Sequence, residues 1–153
     1  MNTLNRLFAT FLYTGYFPIA PATFATAVFL GLYWFLPAGD WLAHWAVFIA
    51  TALLAVPAAT AMEKKAGKDP HCVVIDEVAG MQVVLVGAQP TLVGLAVAFL
   101  LFRVFDVWKP APIYRLQSLP GGRGIVADDL VAGLYTRVLM MVFAALTRSF
   151  GHF

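Results

Sequence analysis

The sequence predicts an all-α fold, an integral membrane helical bundle of four to five transmembrane helices plus a short N-terminal interfacial helix. Apolar residues make up 61% of the 153 residues, against about 45–50% in soluble domains. Charged residues make up only 12%, about half the soluble average. Residues 7–39, 41–62 and 78–102 contain no charge, and each run can hold the roughly 20-residue helix that crosses a bilayer.

The composition excludes several other classes of protein. So few charged residues could not cover a soluble globule, and the hydrophobicity is opposite to that of disordered, collagen-like or coiled-coil chains. The net charge is only +2 and no Lys/Arg run with interleaved aromatic residues occurs, so we expect no nucleic acid partner. The single cysteine, Cys72, has no partner for an internal disulfide or a zinc site. One domain, residues 1–153, accounts for the whole pattern.

The first half of the chain predicts an interfacial helix and two spans. Residues Leu4 to Tyr13 form the interfacial helix, with Arg6 on its polar side, and the proline-containing segment 15–23 is a turn-rich connection. The first span is predicted over residues 22–36 and the second over residues 41–62.

The second half predicts three more helices. Asp69-Pro70 is typical of an N-cap followed by proline at the first helical position, so a third helix is expected over residues 70–88, rising about 28 Å. Gln89-Pro90 interrupts it, and a fourth helix follows over residues 91–108. Residues 109–127 are expected to be a loop, after which Asp128 caps a last helix that reaches about residue 150.

The charged residues predict the orientation. Fourteen of the 18 fall in two windows, residues 63–77 and 103–129, which also hold seven of the ten Lys and Arg residues. The positive-inside rule places both windows in the cytoplasm. Five helices then put the N-terminus inside and the C-terminus outside, and bring residues 15–23 to the same membrane face as the two windows.

Five carboxylates are expected to converge near this face. They come from three predicted helices: Asp76, Glu77, Asp106, Asp128 and Asp129. Alone they would repel one another and protonate when partly buried, so a hard, oxygen-ligated ion such as Mg²⁺ is the expected partner. Adjacent acids within an apolar helix are costly, and ionisable groups inside a membrane are typically functional.

Cations and glycines accompany the carboxylates. Arg103, Asp106 and Lys109 are three residues apart and form one stripe on a helix. The segment Gly121-Gly122-Arg123 adds exposed backbone amides and a further cation. Carboxylates for a metal, cations for an anion and glycines for close approach together indicate phosphate chemistry at the level of the lipid headgroups.

Simpler structural interpretations stay open for several of these residues. Asp69 and Asp128 could be helix caps, Arg103 and Lys109 could anchor a helix end by snorkelling, and the two glycines could only form a turn.

Four segments resemble signatures of the phosphatidylglycerophosphatase A family. Residues 69–81, DPHCVVIDEVAGM, are similar to its D-P-x-x-x-V-x-D-E-x-x-G-M segment. Residues 102–113, FRVFDVWKPAPI, and 121–133, GGRGIVADDLVAG, are similar to F-R-x-F-D-x-x-K-P-x-P-I and G-G-x-G-I-x-x-D-D-x-x-A-G, in that order. Residues 18–26, PIAPATFAT, are similar to P-x-A-P-G-T-x-G-T/S, with Ala22 and Ala25 in place of the usual glycines. The matches extend over residues 15–133.

The resemblance implies an activity and a location. It implies an all-helical, Mg²⁺-dependent enzyme of the bacterial cytoplasmic (inner) membrane that removes the terminal phosphate of phosphatidylglycerophosphate and leaves phosphatidylglycerol. It also adds Thr23, the threonine of the first segment, to the expected phosphate-binding residues, which are then Thr23, Arg103, Lys109, Gly121, Gly122 and Arg123.

Other phosphatase chemistries do not fit the sequence. Cys72 lacks the following arginine of a cysteine-dependent phosphatase loop, and Asp106-Val107-Trp108 lacks the second aspartate of haloacid-dehalogenase enzymes. No histidine stands in a context like that of the vanadate-type lipid phosphatases. Hydrolysis by a metal-activated water is therefore the expected mechanism.

The expected roles divide the site into metal ligands and phosphate binders. Asp76, Glu77 and Asp129 would hold Mg²⁺, and Asp106 would orient the cationic stripe or add a ligand. An aspartyl-phosphate intermediate on Asp128 or Asp129 stays open. The alternative from another class is a non-catalytic protein, either a small transporter or an anionic-lipid-binding module, although a transporter would more often place its ionisable residues near the bilayer midplane.

Overall fold

The computed structural model describes residues 3–35, 40–147 and 151–152. In this part of the chain the secondary structure is helical apart from one pair of two-residue strands, which confirms the predicted all-α class. The helices are α1 (Thr3–Ala9), α2 (Pro21–Trp34), α3 (Trp41–Ala66), α4 (Ile75–Leu85), α5 (Leu92–Trp108), α6 (Ile113–Leu116) and α7 (Gly122–Thr147), with a 3₁₀ turn at Thr14–Tyr16. The strands β1 (Gln89–Pro90) and β2 (Gly151–His152) pair antiparallel.

Two of the described helices are long and apolar enough to cross a membrane. They are α3, with 26 residues, and the segment Gly122–Leu146 of α7, with 25 residues. The other predicted spans are shorter: α2 has 14 residues, α4 has 11 and α5 has 17. At 1.5 Å per residue α4 rises about 16 Å, roughly half of the hydrocarbon thickness.

Several predicted boundaries are close to the observed ones. The interfacial helix is shorter than expected, ending at Ala9. Helix α2 begins at Pro21, one residue before the predicted first span, and ends at Trp34; the last residue of the predicted span, Leu36, lies outside the described part of the chain. Helix α3 continues four residues beyond the predicted end. Helix α5 agrees with the prediction, since Thr91 caps it by accepting a hydrogen bond from Gly94 N at 3.0 Å and Lys109 ends it in a left-handed conformation.

The predicted start of the third helix at Asp69-Pro70 is wrong. Asp69 has a φ of +49°, a left-handed conformation rather than the extended one typical of an N-cap, and α4 begins only at Ile75. The Val74 amide donates to the carbonyl oxygen of Ala9, at 3.0 Å, and so binds this segment to the end of α1. As a result the adjacent acids Asp76 and Glu77 lie in the first turn of α4 rather than two turns into it.

The predicted start of the last helix is also wrong. Helix α7 begins at Gly122 rather than at Asp128, so Asp128 is not a cap and lies in the second turn. Gly121 makes the preceding turn with a φ of +64°, and the Gly122 amide donates to Thr60 Oγ1 at 2.9 Å. The expected loop over residues 109–127 therefore contains α6 and the first six residues of α7. Of the predicted end near residue 150, the structure describes the helix to Thr147.

Helix α4 lies at the centre of the bundle, where eight of its 11 residues are buried. It packs tightly on α7 because glycines face each other: a Cβ on Gly133 would overlap the carbonyl group of Gly80. A Cβ on Gly80 would in turn lie 2.6 Å from the carbonyl oxygen of Asp129 and 2.7 Å from the ring of Phe102. This close approach brings Asp129 of α7 next to the first turn of α4.

Side chains from α7 and α2 cap the C-terminal end of α4. A short helix leaves its last carbonyl groups without partners, which is costly wherever water is excluded. Arg137 Nη1 donates to the carbonyl oxygens of Val83, Val84 and Val86 at 3.1, 3.1 and 2.8 Å. Tyr33 Oη lies 2.7 and 2.8 Å from those of Leu85 and Ala88. Helix α4 can therefore end inside the bundle.

Candidate active site

The two charged windows meet at one end of the bundle, formed by the C-terminal ends of α3 and α5 and the N-terminal ends of α4 and α7. Lys109, which ends α5, donates to Asp128 of α7 across 2.5 Å, and Thr60 near the end of α3 binds the Gly122 amide. Asp76 and Glu77 of the first window lie beside Asp129 of the second, which confirms the predicted convergence of the two windows. The N-terminal connection lies at the same end, since a Cβ on Gly15 would overlap the carbonyl oxygen of Cys72.

Three acidic residues at this end form a carboxylate cluster, composed of Asp76, Glu77 and Asp129. One carboxylate oxygen from each lies within 4.8 Å of the other two. Asp76 is 6% exposed and Asp129 only 3%, whereas Glu77 is partly buried. The cluster contains the three residues that the sequence analysis expected to hold a metal ion.

The carboxylate cluster fits a divalent cation. Within the described residues, Asp76 Oδ1 and Glu77 Oε2 are shielded from solvent and have no hydrogen-bond partner. Unpaired buried anions are costly, and the mutual repulsion of three carboxylates adds to that cost. Carboxylate oxygens are the ligands that hard cations such as Mg²⁺ prefer, so one ion contacting all three would remove both costs.

Asp106 connects the carboxylate cluster with the cationic stripe of α5. Its charge acts on both Glu77 and Asp129, and its carboxyl group contacts that of Asp129. Arg103 Nη1 lies 2.7 Å from Asp106 Oδ2, a contact of opposite charges without hydrogen-bond geometry, and Lys109 Nζ lies 4.0 Å from Asp106 Oδ1. Two cations therefore stand beside the anionic cluster, as the i, i+3 spacing predicts.

Lys109 is a stable cation in this position. Its side chain is 23% exposed, and burial lowers the pKa of its ammonium group. The hydrogen bond and the negative charge of Asp128 outweigh that effect, so the pKa lies above the ordinary lysine value. Asp128 Oδ1, on the other side of the carboxylate, is buried and unpartnered within the described residues. Asp128 thus lies in an ion pair with Lys109 rather than at a helix cap.

The other expected phosphate binders are placed less centrally. Arg123 is exposed in the first turn of α7 and makes no ion pair with any described residue. The Gly122 amide is already bound to Thr60, and a Cβ there would overlap the carbonyl oxygen of Val56, so Gly122 serves the packing of α7 on α3. Thr23 is partly buried in the first turn of α2, and within the described chain its hydroxyl forms no hydrogen bond.

Sequence reasoning missed a polar cavity of about 380 Å³ beside Asp128. Its lining includes Glu63, Lys68, Asp69, Gln117 and Gly121. The charges of the window 63–77 were a signal for it, but nothing in the sequence distinguishes Gln117. The cap on α4 was missed as well, although Arg137 is a charged residue within an apolar segment and could have been singled out on that ground.

These features define a class of protein: a helical membrane protein with a buried carboxylate cluster and paired cations, suited to chemistry on a phosphate ester. The comparisons with known proteins identify the family. The chain belongs to the phosphatidylglycerophosphatase A family, whose model matches residues 7–144. It is therefore a phosphatase of a family that acts on a lipid substrate in a membrane, and the non-catalytic alternative is wrong.

Three relatives illustrate the similarity. A Bacteroides thetaiotaomicron protein, named provisionally as a phosphatidylinositol-3-phosphatase, is 32% identical over 84% of this chain and 86% of its own. Phosphatidylglycerophosphatase A of Escherichia coli K12 is 31% identical over 79% of this chain and 72% of its own. The Haemophilus influenzae protein of the same name is 42% identical over 50% of this chain and 47% of its own. No solved structure matches the chain.

Proposed function

We propose that this protein is a Mg²⁺-dependent phosphatase that hydrolyses phosphatidylglycerophosphate to phosphatidylglycerol and phosphate. The observation that carries the proposal is the carboxylate cluster of Asp76, Glu77 and Asp129, buried beside Arg103 and Lys109 in a member of this family. A phosphomonoester needs cations for its own charge and a metal site to activate its hydrolysis, and this end of the bundle offers both.

Asp76, Glu77 and Asp129 would hold the Mg²⁺ ion. When bound, the ion supplies positive charge to the phosphoryl group and lowers the pKa of a water molecule near it. The carboxylate cluster supports this role because its unpartnered oxygens Asp76 Oδ1 and Glu77 Oε2 are free to act as ligands.

The cations of α5 would bind the substrate phosphate. Arg103 and Lys109 are only 21% and 23% exposed, so their attraction for a phosphate is less screened than at an open surface. Asp106 lies between the two and contacts both, at 2.7 and 4.0 Å. Arg123, exposed in the first turn of α7, would meet the headgroup as it arrives, and the turn at Gly121 and Thr23 would complete the phosphate-binding set.

Asp128 and Asp129 have different surroundings, which favours different roles. Asp129 faces the carboxylate cluster, whereas Asp128 is engaged by the Lys109 ammonium through Oδ2. An aspartate so paired is a weak nucleophile, so we assign Asp128 the task of positioning Lys109 and assign the attack to water rather than to an aspartate.

The membrane location and the orientation follow from charge. The bundle end that carries the site contains residues 63–77 and 103–129, the windows with most of the basic residues. The positive-inside rule places this end in the cytoplasm, so we propose a multi-pass protein of the bacterial inner membrane whose site faces the cytoplasm.

A second lipid substrate deserves the same assay, because the Bacteroides thetaiotaomicron relative bears the name of a phosphatidylinositol-3-phosphatase. Purified protein in mixed micelles is given phosphatidylglycerophosphate, phosphatidylinositol 3-phosphate or glycerol 3-phosphate, with Mg²⁺ or with a chelator. We expect fast phosphate release from phosphatidylglycerophosphate only with Mg²⁺, and slow release from glycerol 3-phosphate, which lacks the acyl anchor. Faster release from the inositol lipid would reassign the substrate, and release that survives chelation would disprove the metal role.

A further inference from the structure

We propose that the cavity beside Asp128 is a polyol subsite, which binds the hydroxyl-bearing part of the lipid headgroup while the phosphomonoester lies at the carboxylate cluster. This inference rests on the proposed function and adds to it the group that selects the headgroup. The cavity measures about 380 Å³, within the range of roughly 300–1,000 Å³ of small-molecule sites.

The lining of the subsite comes from four parts of the chain. Glu63 is in the last turn of α3, Lys68 and Asp69 follow that helix, Gln117 follows α6, and Gly121 with Gly124 contributes the start of α7. A Cβ on Gly121 would lie 3.7 Å from Glu63 Oε2, so this carboxylate reaches the start of α7. Gln117 is partly buried, and its amide can both donate and accept a hydrogen bond.

The charge of the lining favours hydroxyl groups over a second phosphate. Among the described residues, three carboxylates, from Glu63, Asp69 and Asp128, border the cavity, together with one cation, Lys68. Carboxylates accept hydrogen bonds from hydroxyl groups, whereas they repel a phosphate. The mixture of acceptors with one amide and one ammonium therefore suits a glycerol or an inositol.

Asp128 joins the subsite to the proposed reaction centre. It is 3% exposed, its Oδ2 binds Lys109, and its Oδ1 has no partner among the described residues although it belongs to a residue of the cavity wall. A hydroxyl group of the headgroup satisfies this buried oxygen. The next residue along α7, Asp129, belongs to the carboxylate cluster, so the cavity and the cluster adjoin the same turn of α7.

The test measures product inhibition of phosphatidylglycerophosphate hydrolysis in mixed micelles. Phosphatidylglycerol carries the polyol without the phosphomonoester, whereas inorganic phosphate carries the phosphate group without the polyol. In Gln117→Leu and in Glu63→Gln we expect the inhibition constant of phosphatidylglycerol to rise at least 10-fold, while that of phosphate stays within 2-fold of wild type. Lys64→Gln, an exposed neighbour on α3, is the matched control and should change neither constant.

Each outcome decides the inference. Two variants are used because the test still stands if one of them fails to fold. Replacing phosphatidylglycerol by phosphatidylinositol as the inhibitor shows which polyol the subsite prefers. Three results would overturn the subsite while leaving the phosphatase activity intact. The inhibition constants could be unchanged in both variants, or they could rise equally for both products. Wild-type inhibition by phosphatidylglycerol could also be no stronger than that by phosphatidylcholine. No hydrolysis by the wild type overturns the proposed function, and the subsite with it.

Discussion

Arg137 of α7 donates a hydrogen bond to the carbonyl oxygen of Val86, 2.8 Å away at the C-terminal end of α4. At the other end of the same helix, Asp76 and Glu77 meet Asp129 of α7. Helix α7 therefore contacts α4 at both ends, and the position of the carboxylate cluster depends on contacts about three turns away from it.

Replacement of Arg137 by Gln should destabilise the protein. The variant loses a charged donor shared by three partly buried carbonyl groups, which costs about 2–3 kcal/mol of the free energy of unfolding. Thermal unfolding in detergent measures the effect, and Val138→Ala, at an exposed neighbouring position, serves as the control. An unfolding midpoint equal to that of the control would show that the cap contributes nothing.

Replacement of Gly80 by Ala should abolish the close packing of α4 on α7. The new Cβ would lie 2.6 Å from a backbone oxygen of α7 that cannot move aside, so we expect a loss of about 3 kcal/mol or more, together with the activity. Gly31→Ala is the matched control, because nothing lies within 4 Å of its Cβ and alanine gains about 0.5–1 kcal/mol in a helix. Comparable unfolding midpoints for the two variants would contradict the close approach.

Lys109 and Asp128 should show strong energetic coupling. Lys109→Met leaves Asp128 buried without its cation, and Asp128→Asn leaves the ammonium without its anion, at a cost of about 2 kcal/mol each for a partly buried pair. The double variant should lose less than the sum of the two, with a coupling of at least about 1 kcal/mol. Denaturant unfolding of the four proteins measures the cycle, and additive losses would mean that the ion pair is unimportant for stability.

The proposed orientation predicts which residues an impermeant thiol reagent reaches in intact cells. With Cys72 replaced by Ala, a cysteine at the exposed position His71 should react only after the membrane is permeabilised. A cysteine at Gln89, exposed beyond the far end of α4, should react without permeabilisation. The opposite pattern would place the site on the outer face of the membrane.

Local sequence signals located those parts of the structure that depend on local interactions. The ends of α5 were predictable because the Thr91 side chain caps the helix and Lys109-Pro110 stops it. The long-range convergence of Asp76, Glu77 and Asp129 was predictable on another ground, because the positive-inside rule places both charged windows at the same membrane face.

Long-range contacts determine the helix boundaries that the sequence predicted wrongly. Asp69-Pro70 has the composition of a helix start, but the hydrogen bond from Val74 to Ala9, 65 residues earlier, fixes the segment in another conformation. Gly121-Gly122 reads locally as a turn, yet the Gly122 amide finds its partner in Thr60 of α3 and a helix begins there. Neither partner can be identified from the neighbouring residues.

The central claim, that the carboxylate cluster holds the metal ion of a phosphatase, is tested most directly with Glu77→Gln. Gln keeps the shape of the side chain and removes one anion, so the unfolding midpoint without metal should hold or rise as repulsion from Asp76 decreases. In the wild type, Mg²⁺ at about 100 times its dissociation constant should stabilise the fold by roughly 2.7 kcal/mol.

The measurement is the thermal unfolding midpoint with and without Mg²⁺, taken beside phosphate release from phosphatidylglycerophosphate. Asp40→Asn is the control, since Asn caps α3 about as well as Asp does and the residue lies at the far end of that helix. We predict that Glu77→Gln folds as well as the wild type, loses the Mg²⁺-dependent rise in the midpoint and releases no phosphate, while Asp40→Asn retains both. A Glu77→Gln protein that is still stabilised by Mg²⁺ and still active, or that is unfolded without the metal, would contradict the account.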